Sequence, residues 1–193
     1  MAILNVSQSC FDFQVAANRL QLPESDITVS PTADGQLLRG YSWNTLFDLL
    51  ERAGAVLDTS LVVGVLDKPI EKHLFIKGNS TKDVAIVSSS GWPLMTELPV
   101  GVFVASSLVY VAAWMLASDQ WHHHDDTRGC IGDYCRVKAD VLKGIVSGNI
   151  CPDCDKALRS ALGPAEYDAV RNMLKAVADA RVACCDSARN RRS

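Results

Sequence analysis

The sequence predicts an α/β fold of the α+β kind: a small mixed sheet with flanking helices, a buried central helix, and a C-terminal helical lobe held together through cysteines. Three observations predict it. Short runs rich in β-branched residues recur at 61–66, 73–77 and 83–88, separated by Asp67-Lys68-Pro69 and Gly78-Asn79, which are turn-forming sequences. A run of 18 residues, Val100–Ala117, contains no charge. Two cysteine pairs then open a segment whose apolar residues repeat at helical spacing.

The order of the elements follows from local chemistry. Residues 1–40 are weakly patterned, with short strands expected at 2–6 and 27–30 and a turn at Asp34-Gly35. Ser42 is placed to cap a helix running to Ala53, with Leu46, Phe47, Leu49 and Leu50 on one face and Gly54 ending it. The runs at 61–66 and 84–87 are apolar at every position, which predicts central strands covered on both faces. Pro99 precedes the uncharged helix, and a polar loop spans 118–129. Beyond Cys135, Val137, Val141, Leu142, Ile145 and Val146 predict a helix that Gly148-Asn149 stops. Further helices are expected from Pro152 and from Gly163-Pro164 toward Val182, the latter carrying Tyr167, Val170, Met173, Leu174 and Val177 inward.

The whole, residues 1–193, reads as one domain: a sheet-and-helix core at 41–120 and a helical lobe at 121–193 follow the weak N-terminal region. A chain of 193 residues that is 48 % hydrophobic and 21 % charged buries enough apolar surface for such a unit. Its net charge of -3 provides no basic field for nucleic acid, Arg189, Arg191 and Arg192 being a short tail. The first eleven residues lack the basic and small-residue pattern of an export signal. Cytoplasmic placement is the expectation, and it suits seven cysteines in a chain of this size. Val100–Ala117 has no flanking Lys or Arg and includes Gly101, Ser106, Ser107 and Tyr110, so it is expected in the core and not in a membrane.

The chemistry concentrates between residues 122 and 154. Cys130-x4-Cys135 and Cys151-x2-Cys154 lie 15 residues apart, the arrangement of two chelating loops closed on one tetrahedral zinc ion. Four thiolates leave no position for water, so Cys130, Cys135, Cys151 and Cys154 predict one structural zinc site whose binding energy appears as folding energy. Gly129, Gly132 and Pro152 suit the tight turns beside the ligands. Cys10, Cys184 and Cys185 fall outside the pattern and read as free thiols.

Just ahead lies His122-His123-His124-Asp125-Asp126. His122, His124 and Asp126 are the candidates for a two-histidine, one-carboxylate set with an open position, against the reading of this stretch as a solvated loop. Arg128 is expected to pair with Asp126 or Asp133. His73 reads as a strand residue, and Ser88-Ser89-Ser90-Gly91 as the loop that ends a strand.

Residues 61–158 resemble the archaemetzincins, a metzincin-related group of zinc metallopeptidases. In that family a strand, an edge strand, a strand ending in Ser and an active-site helix are followed by a four-cysteine zinc site, and the cysteine spacing here is similar. The family's active helix carries HExxH and a third histidine beyond it, whereas Val100–Ala117 contains neither His nor Glu. The resemblance therefore implies a catalytically degenerate relative, serving as a binding or regulatory module for a protein or peptide partner. The alternative is a metal-dependent hydrolase rebuilt on His122, His124 and Asp126.

Overall fold

The computed structural model describes residues 2–5, 28–31, 43–56, 58–59, 61–69, 74–81, 83–135 and 137–190. Five strands form one sheet: β1 (Ala2–Asn5), β2 (Thr28–Pro31), β3 (Val62–Leu66), β4 (Ile76–Gly78) and β5 (Val84–Ser88). Their order across the sheet is β2-β1-β3-β5-β4. β1 pairs in parallel with β2 and β3, and β3 with β5, while β4 runs antiparallel at the edge, Ile76 opposite Val87 and Gly78 opposite Ala85. The helices are α1 (Trp43–Val56), α2 (Trp92–Met95), α3 (Val100–Ala117), α4 (Val141–Ser147), α5 (Pro152–Ala161) and α6 (Pro164–Asn190).

The alternation of side chains along a strand explains how an unbroken apolar run serves two cores. From β3 and β5, Val62, Leu66, Val84 and Ile86 turn to one face and pack with Phe47 and Leu50 of α1. Val63, Val65, Ala85 and Val87 turn to the other and pack with Trp92, Phe103 and the rest of α3. Every residue of β3 and β5 is buried, as the sequence predicts. Burying one such side chain is worth about 1.5–3 kcal/mol, so this double coverage is the main stabilising term of the core.

Helix α3 is long and apolar enough to cross a membrane by length and composition, yet 67 % of it is buried inside the fold. Its buried positions run all round the helix because the sheet lies on one side and α5 and α6 on the other. Phe103 stacks on Trp92 at 4.4 Å and tilts against Phe75 at 4.7 Å, anchoring the start of the helix over the sheet. Trp114 closes over Gly78 of the edge strand, where a Cβ atom would collide with the indole.

Several expectations shift. The helix does not end at Gly54: it continues to Val56, and Gly54 allows α1 to approach Val62, whose Cγ2 lies 2.7 Å from where a Cβ would stand. The edge strand starts at Ile76 and not at residue 73, while Leu74 and Phe75 lead into it. The short helix α2 follows Gly91, whose φ of 81° makes the turn out of β5. Gly148 (φ 57°) stops α4 and Pro152 opens α5 as expected, and a 3-10 turn, Lys138–Asp140, precedes α4. Ser42, His73, Cys10 and the turn at Asp34-Gly35 lie outside the described residues.

Candidate metal centre

Three segments converge behind α3. The chain leaves α3 through Trp121, which is buried, and reaches His124 in an extended conformation. There the His124 N–H donates to the Gly132 carbonyl (3.0 Å) and the Tyr134 N–H donates to the His124 carbonyl (2.9 Å), so residues 124 and 132–134 are laced together. The turn between them is organised by Asp133, whose Oδ2 accepts from the N–H groups of Arg128 (2.8 Å), Gly129 (2.7 Å) and Cys130 (3.1 Å). Three donors on one carboxylate oxygen hold the loop in the shape that aims Cys130 inward. Gly129 supports that shape at φ 79°.

The second segment is the loop after α4. Ile131 donates to the Asn149 carbonyl (3.0 Å), and the Ser147 hydroxyl bonds the Gly129 carbonyl, tying the first loop to the second. The third is the start of α5, where Cys151 is the N-cap and Cys154 lies one turn in, with Pro152 at the first helical position. Cys154 and Leu158 face the core on the same side of α5, and Leu158 is fully buried.

His124, Cys130, Cys151 and Cys154 bring their ligand atoms within 4.8 Å of one another, and this group can hold a metal ion. His124 Nε2 stands 3.0 Å from Cys151 Sγ and 3.2 Å from Cys154 Sγ. Cys130 Sγ accepts from the N–H of Gly132 and of Cys151, each at 3.3 Å, and Cys151 Sγ from the Cys154 N–H at 3.5 Å. Backbone donors aimed at sulfur are the surroundings that a metal-bound thiolate needs. Gly132 is required at its position because a Cβ there would lie 2.7 Å from Cys154 Sγ.

The thiols of Cys130 and Cys154 are coupled through one S–H···S hydrogen bond, whose proton shifts the two in opposite directions. A hydrogen bond from the Cys154 thiol draws the Cys130 thiol well below its usual range against the cost of burial, helped by the Cys151 and Gly132 N–H groups. Cys154 moves the opposite way, raised first by its bond to Cys130 and then by burial. An ion would replace that proton and stabilise the thiolates together.

This geometry changes the ligand set. Cys135, expected as the fourth ligand, lies outside the group: its thiol leans on the Asp133 carbonyl at 3.7 Å, and burial with Asp133 and Asp140 nearby pushes it up to about 11. His124 stands in its place. The four-residue spacing from Cys130 to Cys135 carries the chain around the Asp133 turn and past the cluster, while the strand-like pairing of residues 124 and 133 brings the histidine back to it. The signal in the sequence was the histidine run itself, which alone does not say which imidazole turns inward.

The candidate set of His122, His124 and Asp126 does not assemble. His124 faces the thiols, His122 is exposed, and the exposed Asp126 is engaged by Arg128 Nε at 2.8 Å. His123 Nδ1 lies 3.0 Å from the Tyr110 hydroxyl. Of the two partners expected for the Arg128 side chain, Asp126 is the one it pairs with, while Asp133 accepts from the Arg128 backbone N–H instead; the guanidinium also reaches Asp153 at 3.8 Å. Asp133 was not anticipated as the acceptor that builds the loop, although an Asp three residues after a cysteine in a Gly-rich turn carries that chemistry. Comparison with protein-family models, curated proteins and solved structures finds no match to the chain.

Proposed function

We propose that this protein is a zinc-stapled binding or regulatory module, a catalytically degenerate relative of the archaemetzincin-like metallopeptidases that docks a protein or peptide in a reducing, cytoplasmic setting. The observation that carries the proposal is the closed group of His124, Cys130, Cys151 and Cys154. Three sulfurs and one imidazole are a ligand set that zinc takes in structural sites, where Zn–S distances of about 2.3 Å give tetrahedral ligand separations of about 3.8 Å. A fourfold protein set leaves no place for a reacting water. Further support comes from the order of elements resembling that family: strand β3, antiparallel edge β4, β5 ending at Ser88, then α3 and the cysteine lobe.

Helix α3, which on this reading corresponds to the family's active-site helix, offers Val, Phe, Ala, Ser, Leu, Tyr, Trp and Met and no metal ligand or general base. The test is metal analysis of the purified chain combined with a peptide-library cleavage assay. One zinc per chain and no chelator-sensitive cleavage are expected. Two zinc ions, with cleavage abolished by His122→Ala, would establish the hydrolase instead.

A further inference from the structure

The ligands of the metal centre are not equally sheltered. Cys130 and Cys154 are each 2 % exposed, whereas Cys151 is only half-buried and forms the solvent side of the cluster. Cys151 is the N-cap of the ten-residue helix α5, and the Cys154 N–H one turn along donates to its sulfur at 3.5 Å. The Arg128 guanidinium, paired with Asp126, also lies 3.8 Å from Asp153 inside the Cys151-Pro152-Asp153-Cys154 turn. The two sulfurs of this turn both lie against one imidazole nitrogen, at 3.0 and 3.2 Å, so a partner thiol waits beside the exposed one.

We propose that Cys151 is an oxidant-sensing thiol, and that its peroxide-driven disulfide with Cys154 expels the metal ion and unfastens the helical lobe. The inference rests on the zinc reading of the same cluster. In the first step the Cys151 thiolate attacks one oxygen of hydrogen peroxide. An S–O bond forms, the O–O bond breaks, hydroxide leaves, and sulfur is oxidised to the sulfenic acid. In the second step the Cys154 thiolate attacks that sulfur and a second hydroxide leaves. Two thiolates and one peroxide thus become one disulfide and two hydroxides, which the buffer protonates to water. The ion keeps its charge throughout and departs because Cys130 and His124 alone are half a coordination sphere. A dithiol reductant reverses the sequence.

The experiment uses the full chain carrying Cys10→Ser, Cys135→Ser, Cys184→Ser and Cys185→Ser, loaded with zinc and assayed for one ion per chain before any oxidant is added. Hydrogen peroxide is titrated in while a chromogenic chelator reads free zinc, and the linkage is mapped by alkylation and peptide mass spectrometry. The unsubstituted chain is mapped in parallel, so the outcome does not depend on the variant's folding. About one zinc released per disulfide formed, a Cys151–Cys154 linkage, and recovery of the ion after dithiol reduction with added zinc are expected. Zinc retained at a tenfold excess of peroxide, a disulfide through Cys130, or Cys151 driven to sulfinic acid without a disulfide overturns the proposal. A chain that binds no zinc before oxidant is added refutes the metal reading itself, which separates the two failures.

Discussion

His124 and Cys135 divide what a ligand spacing can tell from what a loop path decides. Replacing His124 by Ala removes one of four ligands, whereas Cys135→Ser alters a thiol that bonds a backbone carbonyl outside the group. His124→Ala is expected to weaken zinc binding at least 100-fold in a competition assay with a fluorescent chelator, on the order of 2.7 kcal/mol or more. Cys135→Ser should leave the stoichiometry at one, and the reverse result would restore the four-cysteine set. Asp83 gives a residue-scale prediction away from the metal. Its Oδ1 accepts from the Thr81 hydroxyl and the Asn79 amide, each at 2.5 Å, while Asn79 Oδ1 accepts the Asp83 and Val84 N–H groups at 3.2 Å. The bond from Thr81 first, then that from Asn79, holds the carboxyl below its ordinary 3.8 against a small cost of burial. A lowered folded pKa means that this stabilisation is complete above the unfolded value and disappears as pH falls through the folded one. Asp83→Asn should therefore destabilise the β4–β5 hairpin near neutrality, with the two proteins converging in stability as pH falls through the lowered carboxyl pKa. Urea unfolding at pH 7 and at pH 2.5 measures it, and an unchanged difference at the two values would remove Asp83 from the account.

At the scale of the element, α3 is decisive, because an uncharged 18-residue helix fits either a bilayer or a core. In this fold 67 % of it is buried. Phe103 is fully buried between Trp92 and Phe75, and truncation there removes both aromatic contacts and leaves a cavity under the sheet. Phe103→Ala is expected to cost about 3–5 kcal/mol in chemical denaturation. The wild-type protein should be recovered in the soluble fraction without detergent. Recovery only with membranes, or a cost for Phe103→Ala within experimental error of zero, would contradict the packing. Helix α5 joins the two halves of the molecule within about two turns. Cys151 caps it, Cys154 points to the metal centre, and Leu158 on the same face enters the main core. At its far side Asp155 accepts from the Tyr167 hydroxyl at 2.6 Å and pairs with Arg159 at 2.8 Å, while the Arg159 guanidinium lies 4.2 Å over the Tyr167 ring, locking α5 to α6.

Across the whole molecule, the sheet with α1 and α3 is a core supported on two faces, whereas the loops around His124 and Cys130 reach that core through Trp121, Ile131 and Ile150 and are shaped by hydrogen bonds. Structural zinc contributes about 10–16 kcal/mol of apparent binding energy in small zinc-dependent peptides, more than the net stability of many domains. A strong chelator should therefore lower Tm by more than 10 °C and expose sites between residues 121 and 151 to limited proteolysis, while far-UV circular dichroism retains part of the helical signal. An unchanged Tm after the zinc is stripped and assayed as absent would show that hydrogen bonds alone hold the lobe.

The sequence by itself determined the elements that depend on local periodicity and local breakers. The fully apolar strands at 61–66 and 84–87, the uncharged helix after Pro99, the Gly148 stop and the Pro152 start were all legible, because burial on both faces, φ limits and missing N–H donors act within a few residues. It also marked the segment in which the group that could hold a metal ion forms, although only three of the four cysteines it named belong to that group. The tertiary structure alone decided which donors meet. Ligand choice depends on angstrom-scale positions of loops whose shape comes from Asp133 gathering three N–H groups, from residues 124 and 133 pairing side by side, and from Asn149 binding Ile131. The Asp133 bonds are local, but the pairing of residues 124 and 133 and the bond from Ile131 to Asn149 leave no periodic trace in the chain, so the spacing that named Cys135 could not foresee that the backbone would carry it past the cluster and turn His124 in.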